Sequence, residues 1–125
     1  MNRKVLVIEA EALQRDLMHL GLQRSGFEVV SVADTDNIQN LLVKHRPSVL
    51  VLDMFLPKIN GLDLLKKLRA DGLLVGVKVV AISSMAFKEV VQQAGRLGVE
   101  DFIIKPFDID DLSRRLNQLL EEDES

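Results

Sequence analysis

The residues able to do chemistry fall at four places: Glu9-Ala10-Glu11, Asp53, Ser83-Ser84 and Lys105-Pro106. Each follows a short apolar run, and an apolar run followed by a polar residue reads as a buried strand and its end. Where such strands lie parallel in an open α/β sheet, sites form at their carboxyl ends. A carboxylate cluster, a hydroxyl and an ammonium then converge on one edge. Other chemistries drop out. With no cysteine there is neither a disulfide framework nor a thiolate metal site, and the two histidines, His19 and His45, do not make a His-rich zinc site. The segment Gly72-Leu73-Leu74-Val75-Gly76 lacks both the spacing and the Gly-Lys-Ser/Thr of a phosphate loop. Nothing reads Gly-x-Gly-x-x-Gly, and there is no nucleophile elbow.

The elements that must position these groups alternate along the chain. Lys4–Ile8, Phe27–Val32, Val49–Leu52, Val77–Ile82 and Asp101–Ile104 read as strands. Val49-Leu50-Val51-Leu52 is apolar on both faces, as a central parallel strand requires. Between the strands run amphipathic stretches. The first carries Leu13, Leu17 and Leu20 at helical spacing and ends near Gly26. The second, capped by Asp34 or Asp36, carries Ile38, Leu41 and Leu42 and stops before Pro47. The third carries Leu62, Leu65 and Leu68 and ends at Asp71-Gly72. The fourth carries Phe87, Val90, Val91, Ala94 and Leu97, expected in the core, and ends at Gly98. The last is capped by Asp108, has Asp111 in its first turn, and carries Ile109, Leu112, Leu116 and Leu119. Five βα units predict an α/β fold: a doubly wound five-stranded parallel sheet with helices on both faces.

A chain of 125 residues is one domain's worth, so residues 1–125 read as a single unit. Its end, Glu121-Glu122-Asp123-Glu124-Ser125, reads as a solvated acidic tail, either a true terminus or the start of a linker. The net charge of -3 argues against gripping DNA unaided, which needs a basic surface. No apolar run approaches the roughly 18 residues of a membrane span. Met-Asn-Arg-Lys and four apolar residues are too short for a signal peptide, so the cytoplasm is the expected compartment.

The stretch from Val49 through Asp53 to Pro57, Gly61 and Leu62, followed by Ser83 and Lys105-Pro106-Phe107, resembles the receiver domain of two-component response regulators. The resemblance covers essentially the whole chain and implies a flavodoxin-like sheet in the order 2-1-3-4-5. It implies that Asp53 is the phosphoacceptor, a carboxylate that attacks phosphorus. Lys105 is then the cation that pairs with the phosphoryl group, Ser83 the switch hydroxyl, and Phe102 the aromatic whose rotamer follows the switch. Glu9, Asp53 and the Phe55 carbonyl match magnesium ligands. Phe55 and Met85 match the rim of the site. The implied partners are a histidine kinase or phosphotransfer protein, and a downstream protein or effector domain on the face made by the fourth helix, fifth strand and fifth helix. A homodimer is a further option. The chain is then no enzyme, beyond assisting its own phosphorylation and dephosphorylation.

One departure stands out. The family usually has two adjacent acids after strand one, and this chain has Glu9 followed by Ala10. Mg²⁺ takes six oxygens in near-octahedral array, so weak Mg²⁺ binding is expected. The same departure favours a second reading, a receiver-like interaction module that works without phosphorylation. A flavin or nucleotide-binding enzyme is a third reading, disfavoured by the lack of a phosphate-cradling loop. Plainer roles stand beside these. Glu9 and Glu11 suit a helix dipole, Ser83 suits a backbone-bonded strand end, Phe102 suits the core, and His19 and His45 suit a helix surface.

Overall fold

In the computed structural model, residues 2–124 are described, with side chains described through residue 122. The elements alternate as β1 (Lys4–Ile8), α1 (Ala12–Arg24), β2 (Glu28–Val32), α2 (Ile38–His45), β3 (Val49–Asp53), α3 (Gly61–Ala70), β4 (Lys78–Ser83), α4 (Lys88–Arg96), β5 (Val99–Ile104) and α5 (Ile109–Glu124). The sheet is parallel, as the βα alternation predicts, and its order β2-β1-β3-β4-β5 is the one the family resemblance implies.

Strand period two divides the core between the faces. Val5, Val7, Val49, Val51, Val80 and Ile82 pack with Met18 and Leu22 of α1 and with Leu112 and Leu116 of α5. Leu6, Ile8, Leu50, Leu52, Val79 and Ala81 pack under α2, α3 and α4, against residues such as Leu42, Leu65 and Ala94. β3 is buried along its whole length, which places Asp53 at the end of the central, fully covered strand.

Three expectations about helices need correction. Leu13, Leu17 and Leu20 are exposed, and the α1 residues in the core are Met18 and Leu22, on another side of the helix. α1 carries two apolar stripes, and spacing alone does not say which one meets the sheet. Phe87 is 57% exposed and Val91 is also exposed. Phe87 precedes α4 in extended backbone, so it lies outside the stripe of Val90, Ala94 and Leu97 that meets the core. Neither Asp34 nor Asp36 caps α2. Asn37 holds that position without a side-chain bond to the helix backbone, its Oδ1 accepting from Asn40 Nδ2 at 2.8 Å instead, while Asp34 Oδ1 accepts the Asp36 N–H at 3.0 Å in a local turn. Asp108 does cap α5, accepting the Asp110 N–H at 2.8 Å. Residues 121–124 continue α5 rather than forming a separate tail, with Glu121 and Glu122 exposed; Ser125 lies outside the described residues. His19 and His45 lie half-buried on α1 and α2, and His19 Nδ1 lies 2.8 Å from Ser31 Oγ.

Gly21 sits where α1 crosses α5: a Cβ there would lie 2.0 Å from Ile109 Cγ2. In an exposed helix, Gly→Ala stabilises by about 1 kcal/mol. Here Gly21→Ala is expected to destabilise by about 1–3 kcal/mol, the usual cost of overpacking. Urea denaturation of both proteins checks the sign.

Candidate functional site

The carboxyl ends of β1, β3 and β5 bring three charged side chains together from distant parts of the chain. Lys105 Nζ donates to Glu9 Oε1 at 2.5 Å and to Asp53 Oδ2 at 2.8 Å. Both carboxylates are buried, Glu9 at 1% exposure and Asp53 at 5%. Their remaining oxygens are engaged too: Glu9 Oε2 accepts the Glu11 N–H at 3.3 Å, and Asp53 Oδ1 accepts the Phe55 N–H at 2.9 Å. Lys105 is anchored through its own N–H to the Ser83 carbonyl at 2.8 Å, and the Lys105–Pro106 peptide is cis.

The other expected residues stand in different relations to this cluster. Ser83 is fully buried, but its hydroxyl donates to the Met85 carbonyl at 2.7 Å and accepts the Met85 N–H at 3.0 Å. In this state it makes the local backbone bonds of a strand-end hydroxyl. Phe102 is half-buried against the core under α2, α3 and α4. Phe55 and Met85, two residues beyond Asp53 and Ser83, are both exposed. Ala10 lines a cleft beside the cluster whose walls also include Asp34, Thr35, Leu56 and Lys58. Arg15, which sequence reasoning does not reach, donates from Nη1 to the Glu9 carbonyl at 3.0 Å and the Ala10 carbonyl at 3.3 Å. Its only sequence signal is its place one turn into the helix after the acids, where an arginine is unremarkable.

The donor set falls short of a magnesium site. Among the described residues, no group of three or more His, Cys, Asp or Glu side chains is placed to hold a metal ion. The two carboxylates present already share an ammonium, and position 10 offers a methyl group.

Two buried carboxylates against one ammonium leave an excess negative charge. Burial, with Asp53 alongside, raises the Glu9 pKa above its ordinary 4.5, despite the opposing bond from Lys105. Burial lowers the Lys105 pKa, but Asp53 and Glu9 outweigh it and hold the ammonium above its ordinary 10.5. A raised carboxyl pKa means that Glu9 favours folding fully below 4.5 and loses that contribution as pH rises through the folded value. Glu9→Gln is therefore expected to stabilise the protein at neutral pH by about 1–2 kcal/mol, since it removes a buried charge that Lys105 shares with Asp53. The gain should vanish below about pH 4, where the parent glutamate is neutral in both states. Urea midpoints across this range measure it.

Fold and site together define a receiver. The sequence matches the response regulator receiver domain family over residues 5–117, and the chain belongs to that family. It is a family of signalling receivers, whose members typically bind magnesium and which implies a histidine kinase partner, and not a family of enzymes. The chain is 29% identical over 124 residues to the alkaline phosphatase synthesis transcriptional regulatory protein PhoP of Bacillus subtilis, covering 99% of this chain and 51% of PhoP. It is 33% identical over 126 residues to the alkaline phosphatase synthesis transcriptional regulatory protein SphR of Synechococcus elongatus, covering 94% and 48%. The chain thus spans about half the length of these relatives. Among solved structures, a CheY-like receiver domain from Methanospirillum hungatei superposes with a TM-score of 0.89 at 23% identity, covering 99% of this chain and 98% of that one. The receiver domain of the Francisella response regulator 1452 gives 0.87 at 26%, covering 97% and 98%. Among the described residues, no helix is long and apolar enough to cross a membrane.

Proposed function

We propose that this receiver accepts a phosphoryl group on Asp53 from a histidine kinase or phosphotransfer protein in the cytoplasm. The carrying observation is the Lys105 ammonium held between the buried Asp53 and Glu9 carboxylates. An Asp53 carboxylate oxygen attacks phosphorus, an O–P bond forms, and the P–N bond to the donor imidazole breaks. The imidazole leaves with the electron pair and takes up a proton. Phosphoryl transfer needs little beyond positioning and charge neutralisation. Lys105, already bonded to Asp53, has only to shift from a carboxylate oxygen to a phosphoryl oxygen. Magnesium is proposed to bind weakly, because Ala10 supplies no ligand.

Ser83 would then give up its Met85 bonds for the new anion, and Phe102 on β5 would follow. The output is the face of α4, β5 and α5. Phe87, Val91 and Ile104 are exposed on these elements or at their ends. Arg115 pairs with Asp101 and Asp111 beside them. Exposed apolar side chains rimmed by charge suit a downstream protein, an effector domain or a second copy of the chain. No nucleic acid or membrane contact of the domain itself is proposed. The transcriptional regulators of greater length among its relatives support an effector domain as the output partner.

Incubation with acetyl phosphate, with and without Mg²⁺, followed by intact mass tests this reading. One phosphoryl group gained by the parent and none by Asp53→Asn supports it. No gain under forcing conditions selects the second reading, a phosphorylation-independent interaction module, which Ala10 favours.

The exposed Phe55 and Met85 predict a long-lived signal. Neither side chain hydrogen-bonds or orients an attacking water, and both are large enough to cover the phosphorus. Phe55→Asn is expected to speed dephosphorylation about tenfold, about 1.4 kcal/mol of barrier. Decay of the labelled protein after removal of the donor checks it, and equal rates would place Phe55 away from the water's approach.

A further inference from the structure

We propose that Arg15 is the positioning residue of this pocket: it fixes the turn between β1 and α1 so that Glu9 holds Lys105 against Asp53. Three successive carbonyls end on this one residue. Its Nη1 takes those of Glu9 at 3.0 Å and Ala10 at 3.3 Å, and its main-chain N–H takes that of Glu11 at 2.9 Å. Little else secures the turn. Glu11, at the N-cap of α1, makes no side-chain cap bond, and the first turn carries no acid. The Glu9 N–H is bonded to the Val32 carbonyl at 3.0 Å, which fixes the end of the strand but not the turn beyond it. The Glu11 N–H reaches Glu9 Oε2 across a long 3.3 Å. Ala10 has no side chain with which to tether the loop.

The turn must nevertheless hold a carboxylate inward against the cost of its burial, because Glu9 is 1% exposed. A guanidinium suits this task. Its planar fork keeps its donors in one rigid plane, and its charge strengthens bonds to carbonyl oxygens. Arg15 bonds main-chain atoms of the turn and is bonded to neither Asp53 nor Lys105, so it acts through Glu9. With its side chain gone, two carbonyls lose their donor, the turn opens, and Lys105 keeps only Asp53.

The kinetic half of this inference rests on the reading of Asp53 as phosphoacceptor; the structural half does not. The test compares the parent, Arg15→Gln and Arg15→Lys by amide hydrogen exchange and by acetyl phosphate labelling. In Arg15→Gln the Glu11 amide should exchange at least tenfold faster, while the Leu50 amide in the central strand stays within twofold. Arg15→Lys, a point charge without the fork, should fall between Gln and parent, and it carries the exchange test if Arg15→Gln does not fold. Labelling by Arg15→Gln should show a maximal rate about tenfold lower with the half-saturating acetyl phosphate concentration unchanged. Unchanged Glu11 exchange in the variants would overturn the proposal. So would a raised half-saturation at an unchanged maximal rate, which would make Arg15 a donor-binding residue. A parent that is never labelled would sink the phosphoacceptor reading, while the exchange result would still decide the role of Arg15.

Discussion

Ala10→Asp is expected to bind Mg²⁺ at least tenfold more tightly than the parent chain. The substitution adds a hard oxygen ligand at the end of β1, beside Glu9 and within the same strand-end cluster as Asp53. It also raises the negative charge that one ammonium has to balance. The same charge should lower the stability of the metal-free variant, since like charges crowd a buried site. The two effects together give a sharp signature. Without metal, Ala10→Asp should melt below the parent. In 10 mM Mg²⁺ it should recover and pass its metal-free value by several degrees, because a ligand that binds only the folded state stabilises it by RT ln(1 + [L]/Kd), which grows as Kd falls. The parent should move much less. Calorimetric titration and thermal melts of both proteins measure this. Equal affinities would mean that Glu9 or Glu11 already completes a metal site.

Lys105→Met is expected to cost about 2–3 kcal/mol at neutral pH while leaving the protein folded. Removing one partner of a buried ion pair leaves an uncompensated charge, at about 3–5 kcal/mol when burial is complete. The lysine side chain is 21% exposed, so solvent screening brings the cost to just below that range. Its pKa is held above 10.5, so its contribution is complete below that value and disappears only as pH rises through the folded value. The loss should therefore be seen across the neutral range. It should shrink toward pH 4, where Glu9 protonates and one of the two stranded charges is gone. Adding Glu9→Gln should recover most of it, and the double-mutant cycle from urea midpoints isolates the coupling. In function, Lys105→Met should leave Phe102 unresponsive to phosphorylation.

The legible parts of this fold are those where one physical demand dominates. A parallel strand buried on both faces must be apolar throughout, so Val49–Leu52 stands out and the carboxylate after it is conspicuous. Glu9 and Lys105 become legible by the same logic, as polar residues that end apolar runs. Legibility ends where two solutions have similar local cost. α1 offers a leucine stripe and a Met18–Leu22 stripe, and packing against the sheet and α5 decides between them. Asp34 and Asp36 both have the chemistry of a cap, yet Asp34 bonds within its own turn. A serine at a strand end can face an anion or its own loop, and Ser83 faces Met85. Arg15 bonds carbonyls of the turn before its helix, and main-chain carbonyls leave no mark on a sequence pattern.

The most direct measurement is the amide NMR spectrum of the protein with and without acetyl phosphate, paired with intact mass. If Asp53 accepts the phosphoryl group and drives the switch, resonances of Ser83, Met85, Phe102, Ile104 and Lys105 should move in step with the mass gain. They should revert as the label decays, and Asp53→Asn should show neither change. A protein that gains a phosphoryl group on Asp53 while those resonances stay still would contradict the switch, and one whose Asp53 is never modified would contradict the function.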